Sequence, residues 1–152
     1  MTYGFGKINI LAVGNLKEDY LRAAQAEFAK RLNPYGKLLI TEIAHQATME
    51  KEAEKIEKGF SGSSYKIALD VAGKPLSSEG FAASLAGLAT NGHSHIEFII
   101  GGADGISPRI LKACQKSISL SSMTFTHQMA RILLLEQIYR ACRILNNEPY
   151  HK

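Results

Sequence analysis

The stretch Ile96-Glu97-Phe98-Ile99-Ile100-Gly101-Gly102-Ala103-Asp104-Gly105 decides how the chain is read. Residues 96–100 form a short apolar run rich in isoleucine, which predicts a strand buried on both faces. The run passes straight into a glycine cluster, and Pro108 suits the first turn of a helix reaching about Cys114. A strand, a glycine-rich loop and a helix in that order make the repeating unit of an α/β layer. Working outward, residues 8–13 predict a first strand closed by Gly14. Residues 16–32 carry Tyr20, Leu21, Ala24, Phe28 and Leu32 at helical spacing and stop at Asn33-Pro34, where proline disfavours helical geometry before it. Residues 38–43 predict a second strand, 48–58 a charged helix, and 59–64 a flexible turn. Residues 65–71 read as a third strand, and Ser77 or Ser78 caps a helix through Phe81, Leu85 and Leu88. A short strand at 118–120 leads by a polar loop to a long final helix over 127–145. The pattern predicts one α/β domain spanning 1–152, a mostly parallel sheet flanked by helices.

Composition excludes several classes. At 152 residues, 45% apolar and 21% charged, the chain is an ordinary globular one and not a disordered one. No window supplies the roughly 18 uninterrupted apolar residues of a membrane span. The short apolar run near the N-terminus is followed by charges and lacks a small-residue cleavage site, so a cytoplasmic protein without membrane contact is expected. Cys114 and Cys142 lie far apart without a CxxC spacing, which predicts two buried thiols and no metal. His93 and His95 flank Ser94, and an HxH pair alone is weak evidence for zinc. The net charge of +4 is compatible with a polyanionic partner without demanding one.

Ligands of open parallel sheets bind beyond the carboxyl ends of the strands, which selects three loops. The first follows Leu69-Asp70. The second is the cluster Gly101 to Gly105, which lacks the GK[ST] of a Walker loop and has Ile100 where GxGxxG needs glycine, so a tight turn stands level with a ligand loop. The third, Leu120-Ser121-Ser122-Met123-Thr124-Phe125, mixes hydroxyls with large apolar side chains. It suits either a slot for an aromatic ring or a packed connection ending in a cap at Thr126. In the final helix Arg131 falls inside the apolar stripe of Leu134, Leu135, Ile138 and Cys142, so its guanidinium must pair with a carboxylate or face a ligand. The breadth of that stripe, which Ile132, Leu133 and Ile144 extend, predicts a subunit interface as well as a core. The ending Asn147 to Lys152 is expected to fray.

The runs IIGGADG at 99–105 and LSSMTFTHQMAR at 120–131, continued by LLLEQIYRACRIL and PYHK, resemble a family signature, as do ILAVGNLKE, KRLNPYGKL and LDVAGKPLSSE. Together they resemble, over nearly the whole chain, the SPOUT (alpha/beta-knot) superfamily, and within it the bacterial pseudouridine N3-methyltransferases of 23S ribosomal RNA. The resemblance implies a C-terminal trefoil knot, a homodimer, and S-adenosylmethionine held at Leu69, Gly101, Gly102, Leu120, Ser121, Ser122, Met123, Thr124 and Phe125. It implies a pseudouridine of 23S rRNA, within the assembled ribosome, as the methyl acceptor. The chain departs from the family at Thr126, where proline is usual. For loss of the imide proton from N3, the candidates are His127, Arg131, Arg140, Tyr150 and His151, left unranked. Two other readings compete: a nucleotide-binding α/β module using the glycine cluster, and a ribosome assembly factor without chemistry.

Overall fold

The computed structural model describes residues 2–152. Five strands form one parallel sheet: β1 (Gly6–Val13), β2 (Gly36–Ile43), β3 (Tyr65–Pro75), β4 (His95–Ile100) and β5 (Lys116–Ser119), in the spatial order β2-β1-β4-β3-β5. The helices are α1 (Asp19–Leu32), α2 (Met49–Gly59), α3 (Ser78–Thr90), α4 (Pro108–Ala113) and α5 (His127–Leu145).

The two sheet faces follow from the period of two along each strand. Ile8, Ile10, Ile96, Phe98 and Ile67 point to one face and pack against Phe81, Leu85, Leu134, Leu135 and Ile138 of α3 and α5. Leu11, Val13 and Ile99 point to the other, beneath Ala53 and Ile56 of α2 and Ile110 of α4. Each fully buried side chain of this size contributes about 1.5–3 kcal/mol. The second face is polar towards the amino ends of the strands. There the fully buried Glu97 carboxylate accepts from Asn9 Nδ2 at 3.0 Å, Ser61 N at 2.9 Å and Ser64 Oγ at 2.5 Å. Those bonds tie down residues 61–64, so the segment expected to be a flexible turn is anchored to the sheet.

Three other expectations shift. Helix α1 begins at Asp19, three residues later than the periodicity suggested, because Leu16 is buried as part of the connection and its carbonyl accepts from Arg22 at 2.7 Å. Strand β3 runs on to Pro75, and its pairing with β5 resumes after a shift, with Leu69 and then Lys74 opposite Ile118. Gly73 permits this return, since a Cβ there would lie 2.8 Å from the Ile118 backbone. The broad apolar girth of α5 has a partner within the chain: Ile132 packs with Leu16 and Leu21, and Ile144 joins the main core. The width therefore does not by itself demand a second subunit. Thr126 caps α5, its Oγ1 accepting from Met129 N at 3.2 Å. Its φ of −61° is the value proline would impose, so the backbone there would accept proline, while threonine adds a side-chain cap.

Candidate functional site

Two crevices open near the carboxyl ends of the strands; most residues singled out in the sequence lie in or near one of them, whereas Gly101 and Gly102 line neither. The first lies where β3 and β5 end. Its volume is about 190 Å3, and Leu120, Ser121 and Phe125 face Leu76, Phe81 and Ile118 across it. Ser121 is held by its own loop: its carbonyl accepts from Ser119 Oγ at 2.9 Å and its Oγ from Met123 N at 3.0 Å. Leu69 stands beside this crevice, paired with Ile100 on one side and Ile118 on the other. Ser122, Met123 and Thr124 form the exposed outer part of the loop. The loop is thus a ring-sized apolar slot with hydroxyls at its rim, while Thr126 also makes the cap that the alternative reading required.

Gly101 and Gly102 form a closed turn. Gly105 N donates to the Gly102 carbonyl at 3.0 Å, and a Cβ on Gly101 would lie 2.5 Å from Gly105 O. The cluster is a tight turn in which glycine is sterically required at 101. A Cβ on Gly102 would face Glu52 Oε2 at 3.5 Å and His45 Nδ1 at 3.7 Å.

The C-terminal tail is held by Glu79 and Glu136, next to slot-lining Ser78 and Gln137, contrary to the expectation that it frays. Ser78 Oγ donates to Gln137 Oε1 at 2.7 Å, and both residues line the slot. Gln137 Nε2 donates to Glu136, which also accepts from Arg140 and, at 3.1 Å, from Tyr150 OH. His151 is bracketed by Arg140 Nη1 at 3.1 Å on Nδ1 and Glu79 Oε1 at 2.6 Å on Nε2. A guanidinium only donates, so Nδ1 is the acceptor and Nε2–H the donor to Glu79. His151 is therefore held in one ring orientation. Burial first, then the bond to Glu136, pushes the Tyr150 hydroxyl above its usual range, so it stays protonated at neutral pH. Arg140 also stacks over the Tyr150 ring, 4.6 Å from its centroid.

The second crevice, about 470 Å3, lies between α1 and the ends of β1 and β2, lined by Asn15, Leu16, Arg22, Gln25, Ile40 and Glu42. Arg131 is fully buried behind it. Its Nη1 donates to Glu42 Oε2 at 2.6 Å and Gln25 Oε1 at 3.2 Å, and its Nη2 to Gly14 O at 3.1 Å. Of the two fates open to this guanidinium, the structure shows the carboxylate pair. His127 sits nearby, its Nε2 3.4 Å from where a Gly14 Cβ would be. Burial, with the charges of Arg131 and Lys17, lowers its pKa, so the imidazole is neutral at pH 7. The five catalytic candidates therefore fall into two groups, His127 with Arg131 and Arg140 with Tyr150 and His151. Sequence reasoning missed Glu42, Gln25, Glu79 and Glu136. Of these only Glu136 is near its partner in sequence, four residues before Arg140.

Among the described residues no group of three or more His, Cys, Asp or Glu side chains could hold a metal ion. Both cysteines are free thiols, and burial pushes Cys114 up to about 11 and Cys142 to about 12. No described helix is long and apolar enough to cross a membrane.

A parallel sheet with a hydroxyl-rimmed slot beyond its strand ends defines an α/β protein of the class whose ligand sites lie at that end of the sheet. Residues 7–151 match the family described as predicted SPOUT methyltransferase. The chain is 48% identical to ribosomal RNA large subunit methyltransferase H of Halothermothrix orenii, across 96% of this chain and 99% of that one. It is 47% identical to the protein of the same name from Bifidobacterium adolescentis, with the same coverage. A probable methylase family protein from Haemophilus influenzae Rd KW20 shares the fold, with a TM-score of 0.56 at 14% identity over 98% of this chain and 71% of that chain. The chain belongs to the SPOUT methyltransferase family.

Proposed function

We propose that the protein is a cytoplasmic enzyme that methylates N3 of a pseudouridine in 23S ribosomal RNA, using S-adenosylmethionine and acting on the assembled ribosome. The observation that carries this reading is the slot of Leu120, Ser121 and Phe125 against Phe81 and Ile118, an apolar site sized for an adenine ring at the ends of parallel strands. At about 190 Å3 it is smaller than the roughly 300–1,000 Å3 of pockets that enclose a whole ligand, so it suits the base and not a complete dinucleotide. Leu69, Gly101, Gly102 and the run 120–125 are the residues that would hold the cofactor. Once bound, it supplies an already activated methyl group. The chain's own task is then to align the acceptor and manage one proton.

Arg140 and His151 suit that task, since they present a cation and an imidazole together and are linked through Glu136 to Gln137, which lines the slot. Arg140 favours the imide anion, and His151 Nδ1, released as Arg140 turns to that anion, takes the proton. Arg131 acts through Glu42 and Gln25 and is a positioning residue. The ribosomal RNA named for the relatives supports an RNA acceptor. The tail's tyrosine and basic groups suit an unpaired base. A trefoil knot is consistent with the return of β3 onto β5 at Gly73 and with α5 covering both α1 and α3. A homodimer is supported by the exposed Met123, Phe125 and Met129 beside the slot. The closed Gly102–Gly105 turn offers no phosphate cradle to a nucleotide-binding module.

The test is transfer of labelled methyl from S-adenosylmethionine to ribosomes lacking the modification, with the product nucleoside identified. Label on N3 of pseudouridine is expected, with free rRNA a poorer acceptor than the ribosome. Binding to ribosomes without any transfer would favour the assembly factor.

A further inference from the structure

We propose that the larger crevice, between α1 and the ends of β1 and β2, is a second RNA contact that takes one unpaired nucleobase of the substrate strand. The proposal rests on the RNA acceptor argued above. It concerns a place that the methyl-transfer slot does not include.

The argument starts from Arg131. A buried guanidinium is costly, and an apolar side chain of similar volume would serve the core at least as well. What the guanidinium adds is position. It grips Glu42 Oε2 and Gln25 Oε1 together and is itself tied to the Gly14 carbonyl. Because Arg131 only donates, the Gln25 amide is oriented with its oxygen inward, which turns Nε2 outward as a free donor. Glu42 keeps its second oxygen, Oε1, without a hydrogen bond, and its side chain is 44% exposed. A fixed donor therefore stands beside a fixed acceptor, both lining one cavity.

A nucleobase edge has the complementary pattern, an N–H next to a carbonyl or ring nitrogen. Leu16 and Ile40 supply apolar walls for the ring faces. Asn15, whose side-chain amide makes no hydrogen bond to the described residues, adds a further polar contact at the mouth. Arg22 is also on the lining, held by the Leu16 carbonyl and an exposed pair with Asp19. Such an exposed pair is weak and yields readily to a phosphate. A base paired in a duplex hides the edge that Glu42 and Gln25 read, so the site selects single strands.

The experiment measures binding of a labelled single-stranded RNA decamer to the full chain by fluorescence anisotropy. S-adenosylhomocysteine binding by calorimetry is the independent readout. Gln25→Leu is expected to weaken RNA binding about tenfold, the worth of one well-placed base contact, with unchanged affinity for S-adenosylhomocysteine. Asn15→Ala, at an exposed position that cannot endanger the fold, is expected to weaken it about threefold. The matching duplex is expected to bind more weakly than the single strand. Wild-type RNA affinity in both variants would overturn the proposal, as would equal affinity for duplex and single strand. Mononucleotides that bind as tightly as the decamer would also overturn it, by marking a free-nucleotide site. Failure of the wild type to bind S-adenosylhomocysteine would sink the methyl-transfer reading, and the RNA comparison would still decide the crevice.

Discussion

The two crevices solve opposite problems with the same architectural resource, the carboxyl ends of parallel strands. The slot over β3 and β5 is largely apolar inside, and it lies beside backbone packed too closely for a Cβ, at Gly73 against β5 and at the Gly101 turn that ends β4. The crevice beside β2 is polar inside, and it is backed by an ion pair between the buried Arg131 and the half-exposed Glu42. A pocket made by close backbone approach is sensitive to the addition of single atoms. A pocket made by a salt bridge is sensitive to the loss of one charge. Each can therefore be broken by a change that the other would tolerate.

The largest effect is expected from Glu42→Ala. It leaves the Arg131 guanidinium buried without its carboxylate and should lower stability by about 3 kcal/mol, measured by urea unfolding. An unchanged midpoint would mean that Gln25 and Gly14 suffice to hold the charge. Next comes Gly101→Ala, where the new Cβ meets Gly105 O at 2.5 Å and Ile106 Cγ1 at 2.8 Å. Overpacking of this kind costs about 1–3 kcal/mol and should also weaken S-adenosylhomocysteine binding. Full affinity in a folded Gly101→Ala protein would remove the turn from the cofactor site.

Arg131→Ala sharpens the comparison on the kinetic side. Methyl transfer should fall at least tenfold while S-adenosylhomocysteine affinity at the other crevice stays within about twofold. Wild-type turnover in this variant would end any role for the pair. A smaller effect concerns pH. His127 has a lowered pKa in the fold, so the unfolded chain takes up a proton first as pH falls below about 6.5. Its contribution to stability is intact above that value and is lost on acidification through the folded pKa. His127→Gln should therefore lose less melting temperature between pH 7.5 and pH 5.5 than the wild type, these being about one unit either side of the ordinary histidine value. The smallest change is expected from Thr126→Pro, which forfeits a cap worth about 1 kcal/mol and regains part of it through a stiffer unfolded chain. Melting temperatures within a few degrees are expected.

The alternation of strands and helices was legible because both periods are local. Ile8, Ile10 and Ile96 announce buried strands whatever their neighbours, and Ser77 and Thr126 cap the helices that follow them. The loop 120–125 was legible as a ligand candidate because Met and Phe among serines break the usual composition of a connection. The tail was misjudged for a related reason. Its anchors, Glu79 and Glu136, give no sign in the local composition around Tyr150 and His151.

The residue types along the chain determined that there would be a parallel α/β layer, where its loops would fall, and that Arg131 needed a partner. Tertiary structure alone decided that the partner is Glu42, 89 residues away, and that the five candidate side chains stand at two separate crevices. The physical reason is range. Periodicity, capping and turn chemistry act over a few neighbouring residues, whereas a buried charge is satisfied by whichever group the folded sheet brings within hydrogen-bond distance.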